Sequence, residues 1–196
     1  MDMPKCVRAA RVSVVPFVSD LRDKGEIRLR ISRYVEALQQ IPGFEFYLSS
    51  PNRERMLSFP DPARVHQDAD MTLPLVLSGG TELEALEFLA CLHEPTLILA
   101  HPSDNALAAA LEIVALLNTD MHITRLVQAT PGWQEELFRL LKMSDARARM
   151  KRARLGIFGQ REIEALPSWR LTKAVKQVWG PLLVRFDMDE LIDAIG

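Results

Sequence analysis

Four short polar groups stand directly after apolar runs, which is where an α/β chain keeps the side chains it uses on ligands. Ser19, Asp20 and Arg22 follow the first run, Ser78-Gly79-Gly80-Thr81-Glu82 the third, His101, Ser103, Asp104 and Asn105 the fourth, and Gly159, Gln160 and Arg161 the sixth. Two adjacent glycines between a buried strand and a helix start permit a tight turn and close approach of a ligand to free backbone amides. The same pair also serves as a plain turn feeding a capped helix. The pattern is neither GxGxxG nor a Walker loop, and no P-loop lysine follows, which argues against a nucleotide phosphate. Glu82 falls in a first helical turn, where the helix dipole favours a carboxylate whatever else it does. His101 ends a strand ahead of Pro102, a place from which an imidazole can act as acid, base or hydrogen-bond donor, with Glu82 or Asp104 as its carboxylate.

The remaining reactive side chains form no such group. His66, His93 and His122 are scattered, and no His, Asp and Glu set has metal-ligand spacing. Cys91 and His93 stand two apart at a helix end and would not face each other. A phosphoacceptor receiver is excluded because the third run ends in Ser78-Gly79, with no aspartate there. Trp169 and Trp179 read as packing residues, and the basic stretch 147–154 as a solvated helix end complementing its dipole.

The elements that must position these groups alternate between two periods. Strand-length apolar runs at 12–18, 44–48, 73–77, 96–100, 123–127, 155–158 and 182–186 are separated by stretches of helical period, the pattern of βαβ crossovers. The expectation is a doubly wound α/β domain with a mostly parallel sheet of about seven strands, flavodoxin-like or Rossmann-like, spanning 1–196 as one domain. Ile27, Ile31, Tyr34, Val35 and Leu38 share one face of a helix over 26–40, which Pro42-Gly43 ends. Thr81 with Glu84 reads as a capping box for a helix over 82–92. Ser103 or Asp104 is placed to cap 105–117, and Thr130-Pro131 to start a helix over 132–152. Further helices are expected at 169–179 and 189–195. The segments 49–70 and 160–169 read as long loops, the second a candidate lid.

Composition narrows the partners. A net charge of −2 with interspersed signs gives no electrostatic reason to expect nucleic acid or a membrane surface. Cys6 and Cys91 are too few for a disulfide framework, and the chain carries neither a secretory leader pattern nor an apolar run long enough to span a bilayer. A cytoplasmic protein with a small neutral or mildly polar ligand, or none, is expected.

In this order, the segments LPLVLSGGTELEALEFL, PTLILAHPSDNALAAALE and LGIFGQ, followed by Ser168-Trp169, resemble the amino-terminal part of the L-fucose and L-arabinose isomerase family. That family has a Gly-Gly-Thr-Glu turn after a strand, an Asn-Ser-Leu-Ala-Ala loop before a helix, and Gly-x-x-Gly ahead of Ser-Trp. The likeness covers about 73–169, with agreement of order beyond it, including WGPLLVRFDMDELI. Ala106 stands where the pattern often has Ser, and several residues separate Gly159 from Ser168. The resemblance implies a flavodoxin-like domain of an oligomeric aldose–ketose isomerase that uses a divalent metal such as Mn2+. The metal ligands and acid/base carboxylates of that family lie in later domains, so no cofactor is expected in this chain. The domain itself would serve assembly and the sugar pocket, with Ser19, Asp20, Arg22, Gly79, Gly80, Thr81, Glu82, His101 and Asn105 as sugar contacts.

Three functions follow as expectations. One is a sugar- or polyol-recognition and assembly domain acting in a homo-oligomer or with a separate catalytic subunit. Another is a stand-alone regulatory or scaffolding module, which a chain ending just after a helix would suit. The third is a small α/β enzyme built on His101.

Overall fold

A computed structural model of the chain describes residues 8–19, 23–49, 69–91, 96–119, 124–158 and 180–186, and positions 173, 176 and 192 singly. The chain divides into two compact units, Met1–Lys142 and Met143–Gly196.

In the first unit five strands, β1 (Ala10–Phe17), β2 (Phe44–Leu48), β3 (Met71–Val76), β4 (Thr96–Ala100) and β5 (Thr124–Gln128), form one parallel sheet in the order β2-β1-β3-β4-β5. The helices are α1 (Lys24–Gln39), α2 (Glu82–Ala90), α3 (Ala106–Thr119) and α4 (Trp133–Arg152), the last continuing past Lys142. This is the flavodoxin-like order, and the strand sequence reverses between β1 and β3. Register runs from Val12↔Met71 to Phe17↔Val76 between β1 and β3, and pairs Leu75↔Leu99 and Val76↔Ala100 between β3 and β4.

Residue parity in the strands assigns the two faces. Val12, Val14, Leu73, Leu75, Leu97, Leu99 and Val127 pack with Ile31 and Leu38 of α1 and with Leu137 and Leu141 of α4. Val15, Phe17, Val76, Ile98 and Ala100 pack instead with Ala85, Phe88 and Leu89 of α2 and with Ala106, Ala109, Ala110 and Ile113 of α3. Both faces are covered, which is why the strands read as nearly continuous apolar runs. Each fully buried Leu, Ile or Phe stabilises the fold by roughly 1.5–3 kcal/mol.

Two prolines sit inside this sheet without breaking it, because their missing N–H groups fall where no ladder runs. Val14 O accepts from Ser49 N, so Val14 and Pro16 face β2; that ladder ends at Val14↔Leu48. Val76 O accepts from His101 N, so Val76 and Pro74 face β4; that ladder begins only at Leu75.

The remaining strands, β6 (Arg154–Phe158) and β7 (Leu182–Phe186), pair in parallel in a sheet of their own. Among the described residues the strands number seven, in one sheet of five and one of two rather than a single sheet. The central strands of the larger sheet are buried on both faces, whereas Leu155, Leu182 and Phe186 are 49%, 47% and 39% exposed. Ahead of β7, Gly180 has φ +93, and a Cβ there would fall 3.0 Å from Lys151 Cα, so the turn requires glycine.

Helix starts differ from the sequence reading in instructive ways. α1 begins two residues earlier than expected because Asp23 caps it, its carboxylate accepting from Glu26 N at 2.9 Å. The Thr81–Glu84 capping box does not form. Thr81 Oγ1 donates to Ser78 O at 3.2 Å instead, and Thr81 makes no side-chain cap bond. At α3 it is the backbone carbonyl of Ser103 that accepts from Ala106 N. At α4 the start shifts to Trp133, after a turn with Gly132 at φ +88. The candidate lid, the loop over 50–68 and the last two expected helices lie outside the described residues, apart from the single positions named above.

Candidate functional site at the carboxyl edge of the sheet

The loops after β1, β3 and β4 are tied together by hydrogen bonds of their backbone N–H groups. Leu77 N donates to Phe17 O and Ser19 N to the buried Ser78 hydroxyl, at 2.9 and 2.8 Å. Gly79 N donates to Asp104 O at 2.9 Å, joining the glycine turn to the loop before α3. The approach is close: a Cβ on Gly79 would lie 3.0 Å from Asn105 Cβ. Gly80 takes φ +80, and Asp104 and Asn105 take φ 59 and 58. Two successive non-glycine residues in the left-handed region are uncommon, and Asp and Asn are the types that tolerate it.

Asp104 is the pivot of this edge. Its carbonyl holds Gly79, and its carboxylate accepts from Arg30 Nη1 at 2.5 Å, while Arg30 Nη2 reaches Glu26 Oε1 at 2.8 Å. The Asp104 hydrogen bond, followed by its charge and that of Glu26, raises the pKa of Arg30 against the opposing effect of burial.

A depression of about 720 Å³ opens on the α2/α3 side, where Ser19, Gly79, Gly80, Glu82 and Asn105 meet Glu112. Five of the nine residues expected at a sugar site are thus brought together. Thr81 lies beneath the turn, 2% exposed, with its hydroxyl engaged by Ser78. Asp20 and Arg22 lie outside the described residues, as do Gly159, Gln160 and Arg161. The expectation of free glycine amides needs correction. Gly79 N is bonded to Asp104 O and Gly80 N to Glu82 Oε1 at 3.0 Å, so the carboxylate that the helix dipole favours fills the place an anion would take.

His101 belongs to a different depression, of about 400 Å³, on the α1/α4 side. There Tyr34 Oη and His101 Nδ1 are hydrogen-bonded at 2.7 Å with their rings edge to face at 5.8 Å, and Trp133 stands 6.0 Å from Tyr34. Burial, then the nearby Arg30 charge, pushes the His101 pKa down against the pull of Asp104. Burial pushes the Tyr34 phenol up to about 12, against the Arg30 charge. Both groups are neutral at pH 7.

The sequence reading passed over Arg30 and Trp133 and treated Tyr34 only as a core position. A signal existed for the division of the site. His101 continues the parity of Leu97 and Leu99 and so turns toward α1 and α4, away from Gly79.

No group of three or more His, Cys, Asp or Glu side chains that could hold a metal ion occurs among the described residues. No helix among them is long and apolar enough to cross a membrane. Neither a protein-family model nor a curated protein matches the chain.

Proposed function

We propose that this is a cytoplasmic protein whose α2/α3-side depression recognises a neutral polyhydroxylated small molecule, a sugar or polyol. It acts as the recognition and assembly domain of an L-fucose/L-arabinose isomerase-like protein, in a homo-oligomer or beside a separate catalytic subunit. One observation carries the reading. The glycine-turn amides are already bonded internally, and the charged side chains of the depression, Glu82, Asp104 and Glu112, are all carboxylates. With Asp104 balanced by Arg30, Glu82 and Glu112 leave the wall net negative, which disfavours phosphates and carboxylates and offers acceptors to hydroxyls, as a neutral sugar requires. Any Mn2+ chemistry would rest with the complementary catalytic half.

The test is a thermal-shift screen of the purified chain with aldoses, ketoses, polyols and sugar phosphates, with and without Mn2+. A native-state ligand at a hundred times its Kd stabilises by about 2.7 kcal/mol, a shift of several degrees for a chain of this size. A neutral sugar or polyol is expected to raise Tm without any need for Mn2+, and Glu82→Gln to abolish the rise. Equal shifts with sugar phosphates, or a shift that survives Glu82→Gln, would refute the reading.

A further inference from the structure

The α1/α4-side depression offers chemistry that the sugar reading does not use. Its charged lining is Arg30, Arg33 and Glu26. Arg30 is committed to Glu26 and Asp104. Arg33 is exposed and has no ion-pair partner among the described residues. His101 adds no charge at pH 7, because burial and Arg30 hold its pKa below the ordinary value. With Asp104 counted, two guanidiniums meet two carboxylates, and Arg33 is the guanidinium that neither carboxylate engages.

Beside Arg33 stand the rings of Tyr34 and Trp133, with Ala37 and Ala129 leaving room between the elements. A guanidinium presents a planar fork of donors matched to a carboxylate, and ring walls favour a flat apolar body. The volume, about 400 Å³, lies within the range of small-molecule sites.

We propose that this depression is a second, separate ligand site, which takes a flat aromatic or unsaturated monocarboxylate, its carboxylate on Arg33 and its body against Trp133 and Tyr34. One unengaged guanidinium suits a monoanion better than a dianion. The site does not depend on the polyol reading, since it lies on the opposite face of the sheet and shares none of its lining.

Benzoate is the probe. Isothermal titration calorimetry of the whole chain, carried into the millimolar range at fixed ionic strength, compares benzoate with benzyl alcohol and inorganic phosphate. Benzoate is expected to bind, with benzyl alcohol and phosphate each weaker by about tenfold or more, as for the loss of one charge-assisted contact. Arg33→Gln, an exposed change on a helix surface, should weaken benzoate by a similar factor. Trp133→Leu should weaken it further while leaving the response to Arg33→Gln in the same direction. Glu82→Gln should leave benzoate affinity unchanged. The proposal is overturned if benzoate does not bind the folded chain, if benzyl alcohol binds as well as benzoate, or if Arg33→Gln has no effect.

Discussion

On the α2/α3 side of the sheet's carboxyl edge the charged side chains of the depression are Glu82, Asp104 and Glu112, all acidic. On the α1/α4 side the lining is Arg30, Arg33, Tyr34, His101 and Trp133, with Glu26 alone acidic. The first draws on the loops after β1, β3 and β4 and the second on those after β4 and β5; β4 serves both, with Asp104 and Asn105 of its loop turned one way and His101 the other. The strand ends supply the places, and the strand loops together with the flanking helices supply the chemistry. The Arg30–Asp104 pair joins the two, its partners 23% and 21% exposed, so part of its Coulombic attraction escapes solvent screening.

Breaking that joint should have the largest effect. Asp104→Ala removes the Arg30 partner and leaves alanine in the left-handed region, a combined cost of about 2–3 kcal/mol. Denaturant unfolding should show that loss, and Asp104→Asn, which suits the backbone, should recover part of it. Equal losses for the two variants would mean that the conformation at φ 59 contributes nothing.

Gly79→Ala acts on the acidic depression alone. The added methyl must displace Asn105 from 3.0 Å, an overpacking cost of about 1–3 kcal/mol. Polyol binding should weaken while benzoate binding is kept. Loss of both would show that the two depressions are one coupled site.

A smaller effect sharpens the other side. Because the folded pKa of His101 lies below its unfolded value near 6.5, the native state binds fewer protons than the unfolded state between those two values. The stability it contributes is present above about pH 6.5 and is lost as pH falls toward the folded value. The slope should stay under the one-proton limit of about 1.4 kcal/mol per pH unit, since the ring is only part-buried and solvent screens it. His101→Gln should flatten the stability-versus-pH curve below pH 6.5 relative to the parent chain; an unchanged curve would remove His101 as the titrating group.

Much of the sheet was legible because burial on both faces leaves an unbroken apolar signal. The runs 44–48, 96–100 and 182–186 match the strands residue for residue. The strands β1 and β3 begin two residues earlier than their runs, at Ala10 and Met71. Ladder bonds there involve backbone only, so Arg11 and Thr72 can be polar and still pair. Separation of β6 and β7 into their own sheet could not be read, since pairing partners leave no trace in an apolar run. The glycine turn was placed correctly, but its amides were expected to be open. A carboxylate two residues on, favoured by the helix dipole, was the visible sign that Gly80 N had an internal partner. Arg30 escaped notice because its partner Asp104 is 74 residues away, a contact that only the fold creates.

The central claim is that one sheet edge carries two chemically opposed depressions, and its most direct test follows backbone amides by 1H–15N NMR during titration with a neutral polyol found in the thermal-shift screen and, separately, with benzoate. The account predicts that the polyol moves Gly79, Gly80 and Asn105 while benzoate moves Ala37, Ala129 and Trp133. Movement of one common set by both ligands, or of Gly79 and Gly80 by benzoate alone, would contradict it.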